Sequence, residues 1–180
     1  SQMMLRIRNS PFFRDKIGKN TTDEVRLLTK SDKKLIEDGA TLTGSIILLC
    51  GHSNPDSLAG YNAILILFDE IAFFDEQGKV TGTYCYSRLK PSLAKFFECN
   101  AAHIVQISSP NKKNGIFYDT FEYSKTDDSI LSFQLPTWCV NPDIPYNNEE
   151  LEKDRKNKPE FFMIEYGAQW AEGGAFNNYF

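Results

Sequence analysis

The chain has 180 residues, 41% hydrophobic and 24% charged, enough for one ordinary domain with a real core and short for two. This composition excludes intrinsic disorder, and the net charge of −4 argues against a surface that coats nucleic acid throughout, leaving room for a local basic face. No apolar run reaches membrane-spanning length, and Ser1-Gln2-Met3-Met4-Leu5-Arg6 has neither a signal-peptide core nor a convincing start, which suggests a fragment.

Met3 to Phe13 mixes apolar and basic residues and predicts a helix that closes before Pro11. Lys16 to Lys34 reads as a polar loop around Val25-Arg26-Leu27-Leu28, and Glu37-Asp38-Gly39-Ala40 as a turn. Ser45 to Cys50 predicts a strand ending at Gly51. Ala63-Ile64-Leu65-Ile66-Leu67-Phe68 is a continuous apolar run closed by Asp69-Glu70, the pattern of a parallel strand covered on both faces. A helix is expected over Tyr84 to Cys99, with Pro91 placed to start a turn at Ser92. His103 to Ser108 predicts a second buried strand, Gly115 to Tyr123 a helix, and Ser129 to Leu135 a further strand. Pro136 to Asn148 reads as a loop. Helices follow over Glu149 to Asn157 and Glu160 to Ala171, divided by Pro159, before Gly173-Gly174. The alternation argues for an α/β three-layer sandwich with a largely parallel sheet.

Cys50, Cys85, Cys99 and Cys139 form no C-x-x-C pair, and Cys50-Gly51-His52 reads as a strand end with a buried thiol rather than a metal site. Reduced cysteines suit a cytoplasmic protein. His103, Trp138 and Trp170 read as packed residues, and Lys112-Lys113 as a small solvated basic turn.

Ligands of open α/β sheets sit beyond the carboxyl ends of the strands. Asp69 and Glu70 follow the first buried strand, and Ser108, Ser109 and Pro110 the second. Two carboxylates there can act together on one phosphate, one holding magnesium, directly or through its water, while the other orients and deprotonates the attacking water. This is the second acidic motif of P-loop ATPases. A hydroxyl on the neighbouring strand end can both donate to and accept from phosphate or water, which suits a γ-phosphate sensor. The bland reading is two strands entering solvated turns.

Three blocks carry a family resemblance: AGYNAILILFDEIAFF, ISSPNKKNGIFYDTF, and LPTWCVNPDIPYNNEELEKDRKNKPEFFMIEYGAQW. In that order they resemble the second acidic motif, the coupling motif and the closing segment of the ATPase domain in phage terminase large subunits, the motors of viral DNA packaging. The resemblance implies a P-loop NTPase-like domain over residues 1–172 lacking its Walker A strand and loop. It makes residues 173–180 the start of a linker toward a nuclease domain. It makes Asp69 the magnesium-organising carboxylate, Glu70 the catalytic base, and Ser108 and Ser109 the nucleotide-facing coupling residues. It implies magnesium and ATP as cofactors of a full-length ATPase, this chain alone being inactive. The implied partners are double-stranded DNA, a portal protein, a small terminase subunit and further copies in a homo-oligomeric ring, in the host cytoplasm and away from membranes.

Two departures stand against the pattern. Gly18-Lys19-Asn20-Thr21 suggests the phosphate-gripping loop and fails, with Asn after Lys19, Phe13 at the first glycine position and no apolar strand before it. Ala59 stands where many relatives carry an arginine, a role left to Arg88, Arg26 or another arginine. Two other readings use the same residues. One is a magnesium-dependent nuclease or phosphohydrolase that adds Asp75 or Asp119. The other is a non-catalytic interaction domain in which the acidic pair is structural.

Overall fold

The computed structural model describes residues 2–49, 51, 55–74 and 79–171. Cys50, His52, Asp75 and the Gly173-Gly174 segment lie outside the described residues. The chain forms two compact units, Ser1–Leu58 and Ala59–Phe180.

In the first unit, helix α1 (Gln2–Asn9) ends before Ser10-Pro11, because Pro11 disfavours helical backbone in the residue before it. Strands β1 (Ile17–Asn20), β2 (Glu24–Leu27) and β3 (Ile46–Leu49) form one antiparallel sheet with β2 central. Val25 and Leu27 alternate inward and are buried against Ile7, Phe13, Ile17 and Leu48. On β2 between and beside them, the half-buried Glu24 pairs with Arg26 and, at 3.4 Å, with Lys19. The polar loop expected over Lys16 to Lys34 is therefore a hairpin followed by helix α2 (Lys30–Glu37). An alternation only four residues long is easily lost among charged neighbours that satisfy one another.

Helix α2 opens with a capping box. Thr29 Oγ1 accepts the Asp32 N–H at 3.1 Å, and Asp32 Oδ2 accepts the Thr29 N–H at 2.7 Å. The same carboxylate accepts the Ser45 N–H at 3.1 Å and the Ser45 hydroxyl, tying α2 to the approach to β3. Asp32 is 3% exposed. The Ser45 hydroxyl first, then the Thr29 N–H, lower its carboxyl from 3.8 to about 2.

In the second unit, β4 (Leu65–Asp69) and β5 (His103–Ile107) pair in parallel, with Leu65 opposite His103 and Asp69 opposite Ile107. Between them run α3 (Gly82–Leu89), capped by the Thr81 side chain, and a 3-10 helix with Pro91 in its first turn. Phe68, Ile71, Cys85, Leu89 and Leu93 are buried. Helix α4 (Gly115–Tyr123) matches its predicted span residue for residue. Helices α5 (Thr137–Val140), α6 (Glu149–Asn157) and α7 (Pro159–Glu165) close the unit. Trp138 stacks on Phe162 at 5.8 Å between ring centroids, with Tyr146 and Tyr166 around the same ring.

Four expectations are corrected. The Ser45 to Cys50 strand forms, but within the antiparallel sheet, so the chain is mixed α/β and, among the described strands, the parallel sheet is the β4–β5 pair rather than the greater part of the strands. Strand β4 is not covered on both faces: Leu65 and Leu67 are exposed, as are Val105 and Ile107 beside them. Residues 129–135 form no strand, because alternation without a neighbouring ladder leaves Leu131 81% and Phe133 74% exposed. Helix α7 stops at Glu165 rather than Ala171. A Cβ at Gly167 would meet the Met163 carbonyl oxygen at 2.6 Å, and Ala168 is left-handed, so the chain turns out of the helix there.

Two outcomes are expected. Asp32→Ala lowers the thermal midpoint near neutral pH. Because the folded-state value lies below the unfolded one, this stabilisation is complete above roughly pH 4 and is lost as pH falls toward about 2. The gap between wild type and variant in thermal scans should close across that interval. Phe162→Ala, at a fully buried ring, should cost about 3–5 kcal/mol in denaturant melts.

Candidate functional site

The parallel register brings the ends of β4 and β5 to one rim of the sheet. Asp69 closes β4 opposite Ile107, and the Glu70 N–H continues the ladder by donating to the Ile107 carbonyl at 2.7 Å. Glu70 itself is left-handed, at φ 54° and ψ 33°. For a residue with a Cβ that conformation costs about 1–2 kcal/mol. Ile71, 1% exposed, follows at once and starts a 3-10 turn. Its burial, worth about 1.5–3 kcal/mol, offsets the strain of its neighbour.

Ser108 uses its hydroxyl twice. It donates to Glu70 Oε2 at 3.2 Å and accepts the Ala72 N–H at 3.3 Å. Asn111 Nδ2 donates to the Ala72 carbonyl at 3.1 Å, and the Asn111 carbonyl accepts the Ala171 N–H at 3.0 Å. Asn111 Oδ1 is buried and has no partner among the described residues. Glu165 ends α7. Burial holds its carboxyl above its ordinary value; the Ser109 hydroxyl opposes that shift and the charge of Glu70 adds to it.

Of the four residues read from the sequence, Glu70 and Ser108 are in contact, Asp69 is exposed at the strand end, and Ser109 is half-buried next to Ser108 in the chain. Among the described residues, no ion pair engages Asp69 or Glu70, and no three His, Cys, Asp or Glu groups are arranged to hold a metal. Such a rim fits a magnesium ion held mainly by phosphate and water, with one carboxylate to organise it.

Other candidates fall elsewhere. Gly18 and Lys19 lie in β1, with Lys19 paired to Glu24, so they form no phosphate loop. Arg26 is held by Glu24 in the first unit. His103 heads β5 and is exposed rather than packed. Trp170 lies against Phe117, Tyr118 and Phe121. Lys112 bridges to Ala171. Asn111 escapes sequence reasoning: it does not follow a strand directly, and it meets the rim through its side-chain bond to the Ala72 carbonyl.

The backbone at Glu70 yields a direct test. Glu70→Gly should leave stability unchanged or raise it by up to about 1 kcal/mol in thermal melts, because glycine adopts the left-handed region freely. Glu70→Val should lower it.

The chain belongs to the family described as uncharacterized protein MJ0330, N-terminal P-loop domain, whose model matches residues 1–167. No curated protein and no solved structure matches it. The family assignment overturns the terminase resemblance. The three blocks that suggested it are each loose: an apolar strand closed by two acids, a strand closed by hydroxyls, and an aromatic helical segment suit a P-loop domain of another family equally well. The portal, small-subunit, ring and packaging expectations rested on that resemblance alone, and the family match lends them no support. Nucleotide chemistry remains the class of activity that a P-loop domain suggests. No helix among the described residues is long and apolar enough to cross a membrane.

Proposed function

We propose that this domain takes part in magnesium-dependent hydrolysis of a nucleoside triphosphate, ATP in the first instance, at the rim formed by β4 and β5. One observation carries the reading. Glu70 is held in a strained conformation just past a parallel strand, with its carboxylate fixed by the hydroxyl of Ser108 from the adjoining strand end. Strain kept at a carboxylate in such a place is a mark of function rather than of folding. Membership of a P-loop family supports the substrate class.

In this reading Asp69 binds a water of the metal's shell or the metal directly. A magnesium–nucleotide complex would supply charge neutralisation at the phosphates. Glu70 orients the attacking water: Oε2 is held by Ser108, and Oε1, unengaged among the described residues, accepts the water's hydrogen bond and takes its proton. Ser108 reports phosphate state, because its single proton cannot serve Glu70 and a phosphate oxygen together.

The test is phosphate release from magnesium–ATP by the full-length protein. Glu70→Gln should lower kcat at least about 100-fold, the usual contribution of a general base, with little change in thermal midpoint. Asp69→Asn should raise the magnesium concentration needed for half-maximal rate. Normal turnover by Glu70→Gln would end the assignment. Manganese-dependent nicking of plasmid DNA that is lost with Glu70→Gln would point to the nuclease reading instead.

A further inference from the structure

The turn that carries Glu70 is gripped at Ala72. The Ala72 N–H donates to Ser108 Oγ at 3.3 Å, and the Ala72 carbonyl accepts from Asn111 Nδ2 at 3.1 Å. Both partners belong to the loop that follows β5, so the peptides on either side of Ala72 are fixed from the neighbouring strand end. Glu70, two residues back, is left-handed, and its carboxylate accepts the Ser108 hydroxyl at 3.2 Å.

Asn111 is set in place by its backbone. Pro110 before it is buried, the Asn111 carbonyl accepts the Ala171 N–H at 3.0 Å, and Lys112 after it bridges to Ala171. The return of the chain after α7 thus holds the main chain at 111, and the side chain is left to reach Ala72. The group that meets the Ala72 carbonyl is the amide NH2, because an oxygen there would be repelled. That leaves Asn111 Oδ1 buried with no partner among the described residues. A buried acceptor without a donor costs at least as much as one neutral hydrogen bond contributes. Folding therefore gains little from this amide as a whole, and a buried unpaired group in a native structure calls for another explanation.

We propose that Asn111 is a positioning residue of the acidic rim: its Nδ2–H holds the Ala72 carbonyl and, with Ser108 on the Ala72 N–H, keeps the Glu70 turn left-handed and the Glu70 carboxylate on Ser108. Its catalytic consequence rests on the hydrolase reading above; the positioning itself does not. The role requires a donor at that place. Asn111→Asp keeps the shape of the side chain and loses the NH2 group, so it should fail as Asn111→Ala does.

The experiment has two arms on the full-length protein, with Asn148→Ala as the control. Asn148 accepts the Glu150 and Leu151 N–H groups at the start of α6, so its loss weakens a different element of the same unit. In the first arm, the coupling constant between the Glu70 amide and α protons, which follows φ, is recorded with the Glu70 and Ser108 amide resonances. Asn111→Ala and Asn111→Asp should both change the coupling constant and displace both resonances, and Asn148→Ala should leave all three at wild-type values. An unchanged coupling constant in either Asn111 variant, or an equal change in Asn148→Ala, would overturn the proposal. In the second arm, phosphate release from magnesium–ATP should show kcat falling about tenfold in both Asn111 variants, with KM held within about twofold and Asn148→Ala unaffected. Unchanged kcat in Asn111→Ala beside an inactive Glu70→Gln refutes the positioning role. A changed coupling constant beside undiminished turnover by Glu70→Gln leaves the positioning role standing and refutes the hydrolase reading.

Discussion

The pairing of Asp69 with Ile107 sets everything at the acidic rim. Parallel strands alternate their side chains in step, so a slip of one residue between β4 and β5 would exchange the covered and exposed faces of the strand that slipped. In the observed register Phe68 is buried, Asp69 faces outward, and the Glu70 N–H finds the Ile107 carbonyl. Ser108 then follows Ile107 at the height where Glu70 leaves β4. The contact between acid and hydroxyl is a consequence of strand register, itself enforced by which apolar residues are covered.

The left-handed Glu70 is maintained by its surroundings. Ahead of it the ladder hydrogen bond holds its N–H; behind it Ile71 is packed away from water, and the Ala72 N–H and carbonyl are taken by Ser108 and Asn111. Each neutral hydrogen bond contributes only about 0.5–1.5 kcal/mol, so several together with one buried isoleucine are needed to outweigh the strain. The same contacts use the single proton of the Ser108 hydroxyl. Any group that must accept from that hydroxyl has to displace Glu70, which makes Ser108 sensitive to such a newcomer.

Much of this was legible in the residues. The uninterrupted apolar run into Asp69-Glu70 marked β4, HIVQI marked β5, and placing ligands at strand ends selected Asp69, Glu70, Ser108 and Ser109. The Glu37-Asp38-Gly39-Ala40 turn and α4 were plain because turn chemistry and helical spacing are local. What failed depends on partners distant in the chain. The β1–β2 hairpin hid behind charges that pair across it, and SILSFQL alternates like a strand with no ladder to join. Ala171 meets Asn111 only because α7 ends early and the chain doubles back. The family was missed for a related reason: short strand-end motifs report architecture, and many families share one architecture.

The backbone at Glu70 also bears on how this position can drift. One base change in a glutamate codon reaches glutamine, lysine, alanine, valine, aspartate or glycine. Glycine and aspartate suit a positive φ, but glycine has no carboxylate and aspartate is one methylene too short to meet Ser108 in the same way. Glutamine and lysine keep the reach and lose the acid, while valine and alanine lose it and add backbone discomfort. No neighbour in codon space keeps both geometry and chemistry, so a lineage that relies on this acid has no gradual exit from it.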